Sequence, residues 1–203
     1  MDVYDGPAGV LLWHGSGPDE RGAMQPLAEE IQALGVGVLV PDWDSTAPDG
    51  GRADLIGSVG LARRRGARVL VGWSLGGTAA VATGLTTDYF PAVVSLAGSM
   101  TSRDPISGAK PLRLARRPAA TTKLWLVHGS DDGTVPARES RRLQRRLGRH
   151  GWTSTLHLVA TDHAGIVLTE YDERLDRCVR EDSAYTRAGG AATLAAIESA
   201  LRS

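Results

Sequence analysis

A single cysteine, Cys178, stands in the 203-residue chain, and one thiol closes no intramolecular disulfide. No CxxC pair or cysteine–histidine cluster of zinc spacing accompanies it, so neither a disulfide scaffold nor a structural zinc module is expected. A reducing, cytoplasmic compartment is the expectation. Net charge is missing too. Twenty-three basic residues offset 23 acidic ones, which removes the overall electrostatic footprint of a nucleic-acid or anionic-membrane binder. No run approaches the ~18 consecutive apolar residues that a membrane span requires, and residues 1–12 carry Asp2 and Asp5 where a secretory leader would be basic. Neither a signal peptide nor a transmembrane helix is expected.

What the chain does have is apolar residue in short runs. Its 42% hydrophobic content suits one domain, taken as residues 1–203, with a substantial core. The runs GVLLW (9–13), VGVLV (36–40), RVLVG (68–72), AVVSL (92–96), KLWLV (123–127) and STLHLV (154–159) have strand length, and most are continuous rather than alternating. Continuous runs fit strands covered on both faces. Helical stretches lie between them, among them 19–35, where Gly35 is a C-terminal stop, and 136–151, where Gly148 or Gly151 takes that role. Strand then helix, repeated, predicts an α/β fold with a parallel sheet. Residues 97–122, broken by proline and glycine, read as a long loop with room for one short helix.

The pentapeptide GWSLG, centred on Ser74, carries the chemistry. In a chain with 25 glycines such a match alone means little, but Ser74 sits where a β-branched run ends and the small-residue helical run LGGTAAVATGL begins. A sharp strand-to-helix turn there lifts a serine oxygen above the sheet, and the helix start offers N–H groups to a developing oxyanion. A serine hydroxyl needs a base, and the base an orienting acid. Of the five histidines, His14 and His128 each precede glycine at a strand end, His157 lies within the last strand run, and His150 lies among arginines. His163, in VATDHAG just beyond the last strand, is the best placed base.

Taken in order, these motifs resemble the α/β-hydrolase superfamily, whose chain order is nucleophile, acid, histidine. The resemblance spans residues 9–165. It implies a single-domain sheet flanked by helices. Because few residues precede GVLLW, the sheet is expected to be truncated and mostly parallel, with about six strands. HGSDDGTVP resembles the family's acid loop and assigns the acid to Asp132 rather than its neighbour Asp131, while LLWHGSG resembles the early oxyanion loop. The resemblance thus implies a triad of Ser74, Asp132 and His163, with the backbone N–H groups of Leu75 and Ser16 as the oxyanion hole, and no metal or organic cofactor. The size and lidless layout look like the small carboxylesterases and dienelactone-hydrolase-type enzymes, although dienelactone hydrolases proper use cysteine where this chain has Ser74.

The expected activity is hydrolysis of small carboxylic esters or thioesters. The alternatives are acyl transfer, a carrier-protein thioesterase, and a non-catalytic binding module of the same fold. Trp73, beside the serine, and Trp43, in PDWDS, are candidate walls of an acyl pocket. Arg138, Arg141, Arg142, Arg145, Arg146 and Arg149 recur at spacings of three and four. Their plain reading is a solvated helix face, and their alternative is a dock for an acidic carrier protein or a phosphopantetheine arm, which would make the enzyme a thioesterase.

Overall fold

Each of the six apolar runs becomes a strand, and in all but the last, 154–159, side chains on both faces are buried. The computed structural model describes residues 1–116 and 121–203. In chain order the elements are β1 (Asp2–Tyr4), β2 (Ala8–Trp13), α1 (Arg21–Ala33), β3 (Gly37–Val40), α2 (Arg52–Arg64), β4 (Val69–Trp73) and α3 (Leu75–Thr86), followed by β5 (Ala92–Leu96) and the short α4 (Pro111–Leu114). Then come β6 (Lys123–Gly129), α5 (Arg138–Arg149), β7 (Ser154–Val159), a 3₁₀ turn at Gly165–Val167, the hairpin of β8 (Thr169–Asp172) and β9 (Arg177–Arg180), and α6 (Ala184–Leu201).

Seven strands form one sheet in the order β1-β3-β2-β4-β5-β6-β7. The six strands from β2 to β7 are parallel, and β1 adds an antiparallel edge against β3. Beyond the six expected strands, β1 and the separate β8–β9 hairpin are additional; both are short and largely exposed, so neither carries an apolar run by which to be recognised. Along β4, Val69, Val71 and Trp73 enter one core while Leu70 enters the other. The first core lies under α1 and α6, through Met24, Leu27, Ile31 and Ile197. The second lies under α2, α3 and α5, through Leu55, Val59, Ala80, Leu143 and Leu147. Truncating a fully buried side chain such as Leu70 is expected to cost about 2–5 kcal/mol.

The helices stop where expected. Gly35 and Gly151 both have φ of 84°, the left-handed conformation that ends a helix at little steric cost. Gly148 instead stays inside α5. Among the described residues no helix is long and apolar enough to cross a membrane.

The strand order creates the crevice. β2 is flanked by β3 on one side and β4 on the other, so the connections leaving the carboxyl ends of β2 and β4 diverge. An open α/β sheet binds its ligands at such a switch point. His14 to Gly17 follow β2, and Ser74 follows β4.

Candidate active site

Ser74 is the single residue between β4 and α3, and its backbone takes φ 54° and ψ −119°. A non-glycine residue in that region costs on the order of 1–3 kcal/mol and persists only where its surroundings hold it. Two close approaches do so. A Cβ on Gly72 would lie 2.2 Å from the Gly76 carbonyl oxygen, and one on Gly76 would lie 2.2 Å from the His14 carbonyl oxygen. Only glycine fits at either position. The Ser74 N–H donates to the Leu96 carbonyl at 2.9 Å, pinning the turn to β5.

His163 and Asp132 come from the loops after β7 and β6, which are tied together by backbone. The Ser130 N–H donates to Val159 at 2.8 Å and the Asp131 N–H to Thr161 at 3.1 Å. A Cβ on Gly129 would meet the Thr161 oxygen at 2.3 Å, so glycine lets the loops touch. Asp162 does not reach the serine site as an acid; its carboxylate accepts from the Ala164 and Gly165 N–H groups, at 3.1 and 2.7 Å, and shapes the turn that carries His163.

The three expected side chains then form a chain of hydrogen bonds. His163 Nδ1 donates to Asp132 Oδ2 at 2.7 Å, and His163 Nε2 lies 3.0 Å from Ser74 Oγ. A carboxylate only accepts, so Asp132 sets the tautomer and leaves Nε2 free to take the serine proton. Asp132 has no side-chain exposure. Burial raises its pKa, but hydrogen bonds from His128 and His163, the His163 charge and the Val135 N–H outweigh this and hold the carboxyl well below the usual range. Its other oxygen accepts from the Thr134 and Val135 N–H groups, both at 2.8 Å. Asp131, by contrast, is exposed and accepts from Tyr185 Oη at 3.1 Å.

His128 shapes the acid loop more directly than its sequence position indicates. It is fully buried; Nε2 lies 2.8 Å from the Val135 carbonyl and 3.3 Å from Asp132 Oδ2. Both are acceptors, so Nε2 carries the proton and Nδ1 is left to accept from Ser140 Oγ at 2.7 Å.

The early loop passes beside the serine. A Cβ on Gly15 would lie 3.3 Å from Ser74 Cβ, and Ser45 Oγ accepts from the Gly17 N–H at 2.8 Å, anchoring the loop's far end. Leu75 occupies the first position of α3, where a helix leaves its N–H groups without intrahelical partners. Ser16 is exposed in the early loop.

The two tryptophans expected as pocket walls are both buried. Trp43 is 1% exposed and stacks on His14 with ring centroids 5.1 Å apart, so it has no surface to offer an acyl group. Trp73 is 7% exposed; its indole N–H donates to the His163 carbonyl at 2.9 Å and its ring lies 5.2 Å from the imidazole. It is a support for the histidine loop, a role that needs the fold to be visible. Within the 97–122 stretch, residues 99–101 are fastened to α5. Glu139 accepts from the Met100 and Thr101 N–H groups at 2.7 and 3.0 Å and from the Ser99 and Thr101 hydroxyls; residues 117–120 of that stretch lie outside the described residues. The short helix expected there is α4. Among the described residues no group of three or more His, Cys, Asp or Glu side chains is arranged to hold a metal ion.

A family model described as "Alpha/beta hydrolase family" matches residues 10–200. No curated protein matches the chain in sequence. Solved structures do match. A sugar hydrolase from Lactococcus lactis is 16% identical with a TM-score of 0.72, over 97% of this chain and 89% of that one. A protein from Klebsiella pneumoniae subsp. pneumoniae, provisionally named a dienelactone hydrolase, is 17% identical with a TM-score of 0.68, over 96% and 88%. An esterase from the planctomycete Thermogutta terrifontis is 16% identical with a TM-score of 0.62, over 79% and 76%. At these identities the likeness is one of fold.

Proposed function

The chain belongs to the alpha/beta hydrolase family, and on that premise we propose that it is a serine hydrolase of small carboxylic esters and thioesters, working through an acyl-enzyme on Ser74. The observation that carries this reading is the unbroken hydrogen-bond chain from Ser74 Oγ through His163 to Asp132.

His163 Nε2 takes the Ser74 proton as the oxygen attacks the acyl carbonyl. Asp132, buried and charged, balances the imidazolium that forms. The N–H groups of Leu75 and Ser16 receive the oxyanion, aided by the positive end of α3. His163 then returns its proton to the leaving alcohol or thiol, and water, deprotonated by the same imidazole, releases the acid. The small-acyl preference is supported by the burial of Trp43 and Trp73 in the core, which leaves no exposed indole to line a long acyl chain, and by the hold of Glu139 on residues 99–101.

The test is a panel of p-nitrophenyl esters of increasing chain length, with acetyl-coenzyme A beside it, run on wild type and Ser74→Ala. Wild type should favour the shortest esters and label with a fluorophosphonate, and the variant should lose both turnover and label while keeping its fold. Near wild-type turnover by Ser74→Ala would overturn the nucleophile assignment, and a strong preference for long acyl chains would overturn the small-substrate reading.

A further inference from the structure

The charge that balances over the whole chain does not balance locally. Residues 105–161 hold eleven lysines and arginines against three acids, Asp131, Asp132 and Glu139. Among the described residues none of the three forms an ion pair with an arginine or lysine of this stretch: Asp132 is bonded to His163, Asp131 accepts from Tyr185, and Glu139, the one acid on α5, accepts from residues 99–101. Between α4 and α5 this excess is gathered into a groove of about 400 Å³ lined by Leu112, Arg113, Arg142, Arg145, Arg146 and Arg149.

Among the described residues, none of these five arginines has a carboxylate within 4.0 Å. Arg142, Arg145, Arg146 and Arg149 follow the three- and four-residue spacing that stacks side chains along one helix face, where like charges repel. Arg113 faces them from α4. Arg146 is fixed, its Nε donating to the Ala115 carbonyl at 2.8 Å. Compositional enrichment in arginine scatters charge over a surface. Four guanidinium groups along α5 facing a fifth on α4, with no carboxylate within 4.0 Å among the described residues, call for an anion.

We propose that this groove binds a ligand carrying adjacent phosphate groups, at a site separate from the ester-cleaving residues. The guanidinium fork matches phosphate oxygens two at a time. A lone carboxylate would balance one of five charges, whereas linked phosphates place several negative charges within reach of both walls. No aromatic side chain lines the groove, so the phosphates, and not a stacked base, are what it recognises. Arg142 to Arg149 lie roughly 6–17 Å along α5 from its first residue, and that first turn is the one adjoining the acid loop.

The experiment titrates inorganic triphosphate into the intact protein by calorimetry at low ionic strength. The comparisons are inorganic sulfate and the variant Arg142→Gln/Arg145→Gln/Arg149→Gln, whose altered side chains are exposed. One saturable site is expected for triphosphate, with sulfate at least tenfold weaker and the variant at least tenfold weaker still for triphosphate, affinity falling steeply with salt. Turnover of p-nitrophenyl acetate should be within twofold in the variant, which also reports that the fold is kept. Two sources of the phosphates are then separated. If triphosphate raises KM for acetyl-coenzyme A and leaves p-nitrophenyl acetate unchanged, the groove holds the phosphate end of a thioester substrate; if both are unchanged, it holds a free phosphate ligand. Absence of saturable triphosphate binding, equal affinity in the variant, or capture of poly-glutamate without any response to triphosphate would overturn the proposal, the last assigning the face to an acidic protein.

Discussion

Asp131 and Asp132 are adjacent carboxylates with opposite fates. The loop turns one toward Tyr185 and solvent and buries the other against His163. Asp132→Asn should therefore lower kcat by roughly 10³–10⁴, because an amide neither selects the imidazole tautomer nor balances the imidazolium, while Asp131→Asn should stay within several-fold of wild type. The reverse order in steady-state assays would reassign the acid. The depressed pKa of Asp132 has a sign that can be checked. Its stabilising contribution is present above the ordinary carboxylate value of about 3.9 and is lost only as pH falls through the lower folded value. It thus stays charged through the acid limb of the rate profile, and log kcat/KM should fall with a limiting slope of one; a slope of two would contradict this. A steric test sits one turn away. Gly76→Ala drives a methyl to 2.2 Å from the His14 oxygen and should destabilise by on the order of 3 kcal/mol or more, a Tm loss of roughly 6–12 °C for a chain of this size.

At the scale of elements, the parallel strands were legible because their function in the fold is written in composition: a run buried on both faces must be apolar throughout. The elbow was legible for a similar reason, since two close backbone approaches demand Gly72 and Gly76 by name. The edge strand β1 and the β8–β9 hairpin were not, because a short element with exposed side chains has no apolar signature. The tryptophans mark the same limit. Nothing local to Trp43 distinguishes a pocket wall from a core residue, and the partner that explains Trp73 lies 90 residues away. The consequence for Trp73 is testable. Trp73→Phe keeps most of the packing and removes the hydrogen bond to the His163 carbonyl, a bond of about 0.5–1.5 kcal/mol. Looser placement of the histidine loop should lower kcat several-fold with KM little changed, whereas a change confined to KM would mean that Trp73 touches substrate.

For the molecule as a whole, pH bears on stability through a residue outside the proposed triad. His14 is fully buried, and burial pushes its pKa down against the hydrogen bond to Gly15. Below the unfolded value of about 6.5, the unfolded chain takes up a proton that the folded chain refuses, so stability falls until pH reaches the folded value. His14→Phe preserves a ring against Trp43 and should flatten part of the Tm loss between about pH 7 and pH 5; an unchanged loss would show that other groups control it. The central claim remains the acyl-enzyme. Acid quench early in p-nitrophenyl acetate turnover, followed by peptide mass spectrometry, reads it directly. One acetyl group per chain on the peptide holding Ser74, absent from Ser74→Ala, is the expected result, and turnover with acetyl on another residue, or with no acylated serine at any quench time, would contradict it.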